Sequence, residues 1–429
     1  MRGAAFELGA HGVSYAVRFV NSVILTRLVL PGDVGTAMLV STLHIGLVMV
    51  TDAGFLQAMI QSKRGDEPRF LDTIWTLQAI RGAVLAVVCL LVAWPYAHFY
   101  DIASALLFVT AAQLAVGGLH STAIYQLRRR VELQWVVSFE VVGQLLGVAV
   151  TLTWAAIAPS PWALVGGAGV KTAADTIASH FLPGRLRHRF RIDREALAEI
   201  RGVARWIMGS SAVSFLGAHA DRLVIGRLLG EATLGIYSIA INLAEMVGLL
   251  VLRLLFGIVY PVLANEHRRD DPARLRSLFY ASRLRIDIFA MSTLGALTVL
   301  GPWIVSVVWP YGWHDAGWML QILCVRTALD LISNAWATCL TSLGELKMMF
   351  RRNVLRTVTV LAAMPIGFEL GGTSGLLWGL GVAEVPAMLL LMWRLQQLRM
   401  LWFARELVVL PAWAAGAGVA YGFLVVFVG

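Results

Sequence analysis

Residues 221–240 of the chain read DRLVIGRLLGEATLGIYSIA, a stretch that is apolar enough to lie in a bilayer although it carries Asp221, Arg222 and Arg227. The whole chain has the same character. Hydrophobic residues make up 58% of its 429 positions, charged residues 14%, and the mean hydropathy is +0.73. A soluble domain averages about 45–50% apolar and about 25% charged residues. The composition therefore predicts a polytopic membrane protein.

Part of this stretch repeats an earlier part of the chain. Three residues recur with a constant separation of 200 positions: Arg27, Leu28 and Gly35 match Arg227, Leu228 and Gly235. A second match has a separation of 212 positions: Leu164, Gly167, Gly169 and Val170 match Leu376, Gly379, Gly381 and Val382. Two matches in the same order predict that a unit of roughly 200 residues is duplicated, and internal repeats of this kind are typical of transporters.

The apolar residues are gathered into stretches that are long enough to cross a membrane. A helix that crosses the roughly 30 Å hydrocarbon layer needs ~20 mostly apolar residues, and about thirteen stretches meet this requirement. They are residues 9–30, 36–60, 73–95, 102–126, 134–158, 161–182, 206–229, 234–263, 279–308, 316–341, 354–370, 373–393 and 406–428. The sequence therefore predicts an all-α protein with many transmembrane helices.

Positively charged residues are distributed unevenly between the connections. Connections after even-numbered stretches hold most of the 35 Lys and Arg residues, for example Arg128, Arg129 and Arg130, whereas connections after odd-numbered stretches hold none. Cytoplasmic loops of membrane proteins carry an excess of Lys and Arg. The N-terminus and the even-numbered connections are therefore predicted to be cytoplasmic. Membrane orientation also explains the net charge of +9, so no nucleic-acid binding is expected.

The repeat and the connections divide the chain into four expected parts. These are a six-helix lobe over 1–182, a basic cytoplasmic linker over 183–205, a second six-helix lobe over 206–398 and an extra C-terminal transmembrane helix over 399–429. The linker opens with Arg185 and Arg187, and Ile192, Leu197 and Ile200 follow at roughly helical spacing among charges. This pattern is consistent with a helix that lies on the inner leaflet, and equally with a solvated linker.

Arg283, Arg285 and Arg356, near the starts of two stretches, are counted with the adjoining basic connections, and eight other basic residues remain inside the apolar stretches. A central Arg or Lys costs at least about 2.5–3.5 kcal/mol on insertion scales, so these side chains should face protein, water or an anion. They are Arg18, Arg27, Arg81, Lys171, Arg222, Arg227, Arg253 and Arg326. Lys171 precedes Asp175 by four positions, and Arg326 precedes Asp330 by four, so each pair can neutralise itself on one helix face.

Two interpretations of these cations stay open. They can form interhelical ion pairs, or they can line a water-filled cavity that binds an anion such as a diphosphate, whose oxygens match the planar guanidinium. For substrate binding we expect Arg18, Arg81, Arg222 and Arg253 first, followed by Lys171 and Arg326. The carboxylates that we expect to pair with cations or to couple transport to a cation are Asp52, Asp221, Glu245 and Asp330.

The sequence carries no common catalytic or metal-binding motif. His-Glu-x-x-His, Cys-x-x-Cys and Gly-x-Ser-x-Gly do not occur. Cys89, Cys324 and Cys339 lie in apolar stretches without paired spacing and are predicted to be core residues. We therefore expect no enzyme, no cofactor and no metal site. The N-terminus lacks a long basic region before a cleavable apolar segment, so no removed signal peptide is expected.

Four motifs resemble those of the polysaccharide-transport (oligosaccharide flippase) family. They are Thr26-Arg27-Leu28 with Pro31-Gly32-Asp33-x-Gly35, Asp52-x-Gly54-Phe55-x-Gln57-Ala58-x-Ile60-Gln61, and residues 221–230 and 234–238. The resemblance also places Pro261 at the end of the eighth span. It implies the fold of the multidrug and toxic compound extrusion transporters, in which two six-helix lobes surround a central cavity.

The resemblance further implies a function. A member of this family is expected to flip an undecaprenyl-diphosphate-linked oligosaccharide across the bacterial inner membrane by alternating access. The implied partners are the lipid-linked glycan, membrane lipids and, beyond these, a polysaccharide polymerase and glycosyltransferases, with the transporter itself a monomer. The alternatives are a cation-coupled drug exporter of the same fold, a membrane glycan polymerase or ligase, and a non-transporting scaffold of glycan assembly.

Overall fold

The computed structural model describes residues 2–52, 54–183, 188–267 and 271–427, and these residues contain helices and no strand. The first nine helices are α1 (Arg2–Leu28), α2 (Pro31–Val50), α3 (Phe55–Gln61), α4 (Pro68–Tyr100), α5 (Ser104–Gly118), α6 (Ala123–Arg129), α7 (Leu133–Ile157), α8 (Pro161–Ser179) and α9 (Arg194–Leu228). The others are α10 (Gly230–Leu254), α11 (Tyr260–His267), α12 (Pro272–Val308), α13 (Ala316–Ser342), α14 (Leu346–Val382), α15 (Glu384–Gln397), α16 (Phe403–Glu406) and α17 (Val409–Phe427).

The predicted all-α membrane architecture is confirmed. Every predicted apolar stretch overlaps at least one helix. By length and hydropathy, 8 helical segments of the described residues could cross a membrane, or 9 if α5 and α6, which meet at a bend of 58°, form one span. One reason why this count is lower than the predicted one is that two predicted stretches fall within a single helical run of 52 residues, Leu346–Gln397.

That long run is interrupted where the two predicted stretches meet. Gly371 and Gly372 leave helical geometry, and Gly372 adopts φ 59° and ψ −139°, a conformation that favours glycine. The two arms of α14 then approach closely, because a side chain at Gly375 would collide with the backbone carbonyl of Gly367. The boundary predicted at residues 370–373 therefore corresponds to a glycine kink.

The expectation that Pro261 ends the eighth span is wrong. After α10, a π-helical turn at Leu255–Val259 leads into α11, so the helical path continues past Pro261 to His267. Proline lacks the N–H that an α-helix requires, and π turns and prolines are common causes of local change in the hydrogen-bond ladder of a helix. The proline therefore marks an irregular turn within the helical path.

The chain divides into two compact units. Unit 1 comprises Met1–Phe215 and Ile225–Gly235, and unit 2 comprises Leu216–Val224 and Ile236–Gly429. In unit 2, α12 packs closely against α17, because Gly295 and Gly416 lie against the backbone carbonyls of Trp413 and Ser292. Small residues at a helix interface allow backbones to approach in this way.

The matched glycines of the repeat contact the opposite copy within unit 1. A side chain at Gly35 would collide with the carbonyl of Glu231, and one at Gly235 would collide with the carbonyl of Pro31. The first turns of α2 and α10 therefore lie against each other, and Thr36 donates a hydrogen bond from its hydroxyl to the Glu231 carboxylate. The contact is reciprocal, because each glycine of the matched pair lies against the first turn of the other copy.

The predicted linker is ordered against unit 1 over the part that the structure describes, which excludes Arg185 and Arg187. Residues 188–193 form no regular secondary structure, and three backbone N–H groups in this segment donate to side chains of α4: Arg189 to Asp72 (3.0 Å), Arg191 to Thr76 (3.0 Å) and Asp193 to Thr73 (2.9 Å). Residues 194–205 are the beginning of α9. Ile200 is buried in a core cluster with Met59 and Phe70 and therefore faces protein, whereas Ile192 of the same predicted pattern is exposed.

Candidate functional site

Unit 1 contains a cavity of about 400 Å³ beside the crossing of α4 and α5, lined by both polar and apolar residues. The two helices approach closely there, because Gly82 and Gly118 lie against each other's backbone. The polar residues that line the cavity are His44, Gln78, Arg81, Gln113, His120, Tyr125, Arg128 and Thr172. A volume of this size lies in the range of small-molecule sites, which is roughly 300–1,000 Å³. The predicted site residue Arg81 therefore lines a cavity that can hold a small polar group.

The guanidinium of Arg81 also closes the end of α2. Its Nε donates to Thr51 Oγ1 at 3.0 Å, and an Nη donates to the carbonyl of Val48. Asp52 lies in the break that follows α2, where its carboxylate accepts a hydrogen bond from the N–H of Gly54 at 3.0 Å. Cations stabilise helix C-termini, where backbone carbonyls lack partners. Arg81 therefore has a structural role in addition to its position in the cavity.

Other polar groups of the cavity are held in place by hydrogen bonds. Gln78 donates from Nε2 to the carbonyl of His120 at 3.0 Å and accepts from the hydroxyl of Tyr125 at 3.3 Å. Gln113 donates to the carbonyl of Val165 at 2.8 Å. These bonds hold side chains of α4 and α5 against α6, α8 and the turn after α5, so the cavity wall is fixed before a ligand enters. Such preorganisation lowers the entropic cost of binding.

Unit 2 contains a network of buried charges. Asp330 on α13 lies between two arginines of α14, 3.7 Å from Arg352 and 3.6 Å from Arg356. Its other oxygen accepts from Asn334 Nδ2 at 2.9 Å. Arg356 also donates to Glu384 of α15 at 2.6 Å, and Glu384 is fully buried. These contacts join α13, α14 and α15 through charges of opposite sign.

Arg326 does not form the predicted pair with Asp330. Within the described residues its guanidinium has no carboxylate within ion-pair distance, although only 7% of its surface is exposed. The carboxylate of Asp330 instead faces the two arginines of α14. Asp221, Asp330 and Glu384 lie close enough to act on Arg326 electrostatically. The spacing of four positions was the reason for this expectation, and tertiary contacts of α14 override it.

Two charged residues of the stretch 221–240, Asp221 and Arg222, lie in unit 2. Asp221 is buried and accepts a hydrogen bond from the hydroxyl of Tyr237 on α10. Arg222 lies 3.9 Å from Glu245, a loose ion pair. Both α9 residues therefore contact α10, and the predicted pairing carboxylates Asp221 and Glu245 are each engaged by a neighbour.

The structure gives the remaining predicted cations different surroundings. Lys171 and Asp175 form the predicted ion pair on α8, and Gly143 of α7 leaves the space for the Asp175 carboxylate. Arg253 is half-buried in the last turn of α10. Arg18 on α1 is exposed, and it forms no ion pair or hydrogen bond with the residues that the structure describes. The predicted set is thus divided between the two units rather than gathered at one described cavity.

Many arginines that the sequence assigned to connections lie within helices, since for example α12 already begins at Pro272 and α14 at Leu346. Three of them in unit 2 have largely buried side chains: Arg283, Arg352 and Arg356. Arg283 is 1% exposed and pairs with Asp287 (2.6 Å) and with Glu406 (3.0 Å). The carboxylate four residues after Arg283 is the one sequence signal that could have indicated its burial.

No group of three or more His, Cys, Asp or Glu side chains in the described ranges is arranged to hold a metal ion. The functional groups that the structure does present are guanidinium and amide groups. These donate hydrogen bonds to anionic and sugar oxygens. The cavity of unit 1 can therefore bind a polar, anionic group. In the network of unit 2, arginines and carboxylates neutralise one another.

Comparisons with known proteins give a consistent family. The family model described as "Polysaccharide biosynthesis protein" matches residues 24–318, more than half of the chain. The lipopolysaccharide biosynthesis protein WzxC of Escherichia coli is 26% identical over 180 residues, which cover 42% of this chain and 36% of that protein. The succinoglycan biosynthesis transport protein ExoT of Rhizobium meliloti is 20% identical over 361 residues, 82% of this chain and 71% of that protein.

Solved structures agree on the fold. A lipid II flippase, MurJ, in an inward closed conformation superimposes with a TM-score of 0.74 at 11% identity, covering 97% of this chain and 98% of that one. An inward-facing multidrug resistance transporter of the MATE family gives 0.66 at 15% identity, covering 90% and 95%. Likeness at such low identity concerns the fold alone. The predicted multidrug-and-toxin-extrusion-like fold and the predicted family resemblance are both confirmed.

Proposed function

The chain belongs to the polysaccharide biosynthesis protein family, and we propose that it is a flippase that moves an undecaprenyl-diphosphate-linked oligosaccharide across the bacterial inner membrane. One observation carries the proposal: an arginine, Arg81, lines a preorganised cavity together with other polar side chains in a strongly apolar helical protein. Guanidinium groups bind phosphate oxygens through two parallel hydrogen bonds. The name of the relative ExoT, a transport protein, and that of the structural neighbour MurJ, a lipid II flippase, support the same function.

The proposed mechanism is alternating access. The diphosphate and the first sugars enter the cavity that Arg81 lines while the lipid tail stays in the bilayer, and the protein then opens to the other side. No covalent bond of the substrate changes, so the protein is not an enzyme. The N-terminus lies in the cytoplasm, since that orientation puts the basic connections inside. The transporter acts as a monomer and receives its glycan from glycosyltransferases.

The proposed substrate contacts are divided between one firm candidate and several secondary ones. Arg81 is the first, because it lines the cavity of unit 1. Arg18 and Arg222 are further candidates, since neither forms a close ion pair with the described residues, and the half-buried Arg253 is retained with them. The ion pair of Lys171 and the burial of Arg326 among carboxylates favour structural roles for those two residues.

The function is tested in a bacterial strain in which the gene for this chain is deleted and replaced by plasmid-borne variants. Surface glycan and lipid-linked glycan in the inner leaflet are measured at matched protein levels. Replacing Arg81→Ala should reduce export by about tenfold or more, because a hydrogen bond to a charged group contributes about 1.5–3 kcal/mol. Lipid-linked glycan should accumulate inside the cell.

Two control variants separate substrate binding from other effects of the substitution. Thr51→Val removes one structural partner of Arg81 but keeps its guanidinium, and Arg130→Ala removes an exposed arginine of the same unit. Both should keep export within about twofold of wild type. Normal export by Arg81→Ala would refute the site, and normal surface glycan after gene deletion would refute the flippase.

A further inference from the structure

Arg326 lies among carboxylates that come from four helices. It is buried on α13, and its Nε has no hydrogen-bond partner in the described part of the chain. Asp221 of α9, Asp330 of α13 and Glu384 of α15 act on it electrostatically. Glu245 of α10 does so as well. The guanidinium is therefore surrounded by negative charge without being bound tightly to any one carboxylate.

The charges around Arg326 balance among the residues that the structure describes. Four carboxylates and four arginines make up this part of unit 2: Asp221, Glu245, Asp330 and Glu384, and Arg222, Arg326, Arg352 and Arg356. Three of the arginines lie within 4 Å of a carboxylate, since Arg222 faces Glu245, and Arg352 and Arg356 face Asp330.

Asp221 is satisfied in a different way from the other carboxylates. It accepts a hydrogen bond from a hydroxyl, that of Tyr237, and His219 is the other titratable side chain close to it besides the network itself. Neither group forms a salt bridge to Asp221 within the described residues. Arg326 therefore supplies the positive charge that Asp221 lacks.

A buried carboxylate without a positive partner is unfavourable in a protein interior. A transporter can neutralise such a carboxylate with a mobile cation, which binds when the carboxylate is exposed on one side of the membrane. In this chain a covalently held guanidinium already provides the charge. Arginine remains protonated at every physiological pH, so the compensation is permanent.

We propose that Arg326 is a tethered counter-ion that replaces a mobile coupling cation in unit 2, so that transport requires neither Na⁺ nor a proton there. The inference rests on the proposed function, because coupling has meaning only for a chain that transports. The orphaned Nε of Arg326 and the orphaned oxygens of Asp221 and Glu384 leave these groups able to exchange partners. The guanidinium can thus follow the carboxylates when the helices move, without leaving the protein.

The experiment uses the full-length protein in proteoliposomes and a fluorescent undecaprenyl-diphosphate-linked N-acetylglucosamine as the probe. Flipping is measured in choline and in Na⁺ buffers, each at about pH 6 and about pH 8. The wild type should differ by less than about twofold between all conditions, because its charges are already balanced. Arg326→Lys, which keeps the charge, should behave in the same way.

Arg326→Met leaves one buried negative charge in excess. In choline at the higher pH its flipping should fall by about tenfold or more, and Na⁺ or the lower pH should restore it by supplying a cation. The double variant D221N/R326M removes one charge of each sign, and the amide oxygen introduced by the first substitution would still accept from Tyr237. This variant should flip the probe independently of cations, and it keeps the test valid if R326M does not fold.

Three results overturn the inference. These are a wild-type rate that changes about tenfold with Na⁺ or pH, an R326M variant that is folded but insensitive to cations, and a folded double variant that does not flip. An absence of wild-type flipping under every condition is a different result, because it contradicts the proposed function itself. The two hypotheses are therefore distinguished by the same set of measurements.

Discussion

Arg81 on α4 donates a hydrogen bond from Nε to the hydroxyl of Thr51, 3.0 Å away, at the point where α2 ends. The same guanidinium bonds to the carbonyl of Val48 and lines the cavity of unit 1. One side chain thus stabilises a helix end and presents positive charge to the site where we place the substrate. This double role predicts that stability and transport can be separated by substitution of its partner.

Thr51→Val should lower the free energy of unfolding by about 1.5–3 kcal/mol, because the hydroxyl loses its bond from the charged Arg81 and its own bond to the Leu47 carbonyl, while the guanidinium keeps its second partner. The measurement is thermal unfolding of the purified protein in detergent. Thr153→Val, an exposed position on α7, is the matched control and should change little. A destabilisation no larger than that of the control would show that these bonds contribute nothing.

The segment before α9 predicts a dependence of stability on pH. His188 stacks on Trp75 with ring centroids 5.3 Å apart, and its Nε2 lies 2.9 Å from Ser121 Oγ. Burial, followed by the nearby His180, lowers the pKa of His188 to about 4, while Asp72 acts in the opposite direction. The unfolded chain therefore binds this proton more readily than the folded protein between about pH 4 and pH 6.5.

It follows that the stabilising effect of a neutral His188 is complete above about pH 6.5 and is lost as the pH falls towards 4. His188→Gln keeps a polar side chain of similar length without this titration, so the stability of the wild type should fall more steeply on acidification than that of the variant. Thermal unfolding at a series of pH values measures the difference. Parallel curves for the two proteins would contradict the assignment.

The reciprocal glycine contact predicts that Gly35→Ala and Gly235→Ala each destabilise the protein by about 1–3 kcal/mol. An added Cβ would collide with a backbone carbonyl in both cases, so the first turns of α2 and α10 would have to separate. Gly422→Ala is the control, because that glycine of α17 has open space around it. It should be neutral or slightly stabilising, since alanine favours helix. Melting temperatures of the three purified variants provide the comparison, and equal values for all three would contradict the close approach.

Of these substitutions, replacement of Arg283 is expected to lower the free energy of unfolding the most. This arginine is almost fully buried and neutralises two carboxylates, Asp287 and Glu406, so Arg283→Met should cost about 3–5 kcal/mol through the unpaired charges left behind. Arg285→Met, at an exposed arginine of the same helix, should cost little. The yield and melting temperature of each variant are compared. Adding Glu406→Gln to Arg283→Met should recover part of the loss, and no recovery would indicate a role other than charge balance.

The fold could be predicted from the sequence because hydropathy is a property of whole helices and does not depend on single contacts. The apolar stretches correspond to helices, and the matched glycines Gly35 and Gly235 lie at a close helix contact. The ion pair of Lys171 and Asp175 was predictable for a similar reason, since both residues lie on one helix face and need no other element.

The burial and the partners of several charged residues could not be predicted from the sequence. Arg283, Arg352 and Arg356 lie at or near the ends of apolar stretches, and hydropathy alone cannot tell whether a helix continues past its apolar part. Glu406, the second partner of Arg283, is more than a hundred positions away in the chain. Asp330 had a local candidate, Arg326, but two arginines of α14 reach it instead. Pairing between distant helices depends on packing, which no local spacing encodes.

The reciprocal contact of Gly35 and Gly235 also has a consequence for the history of the chain. Each of these glycines is held in place by the first turn of the other copy, so a larger side chain in either copy is tolerated only if the opposite helix shifts as well. The predicted duplication would therefore have left the two copies unable to diverge independently at this point. Their sequences are expected to have stayed alike here while the rest of each copy changed.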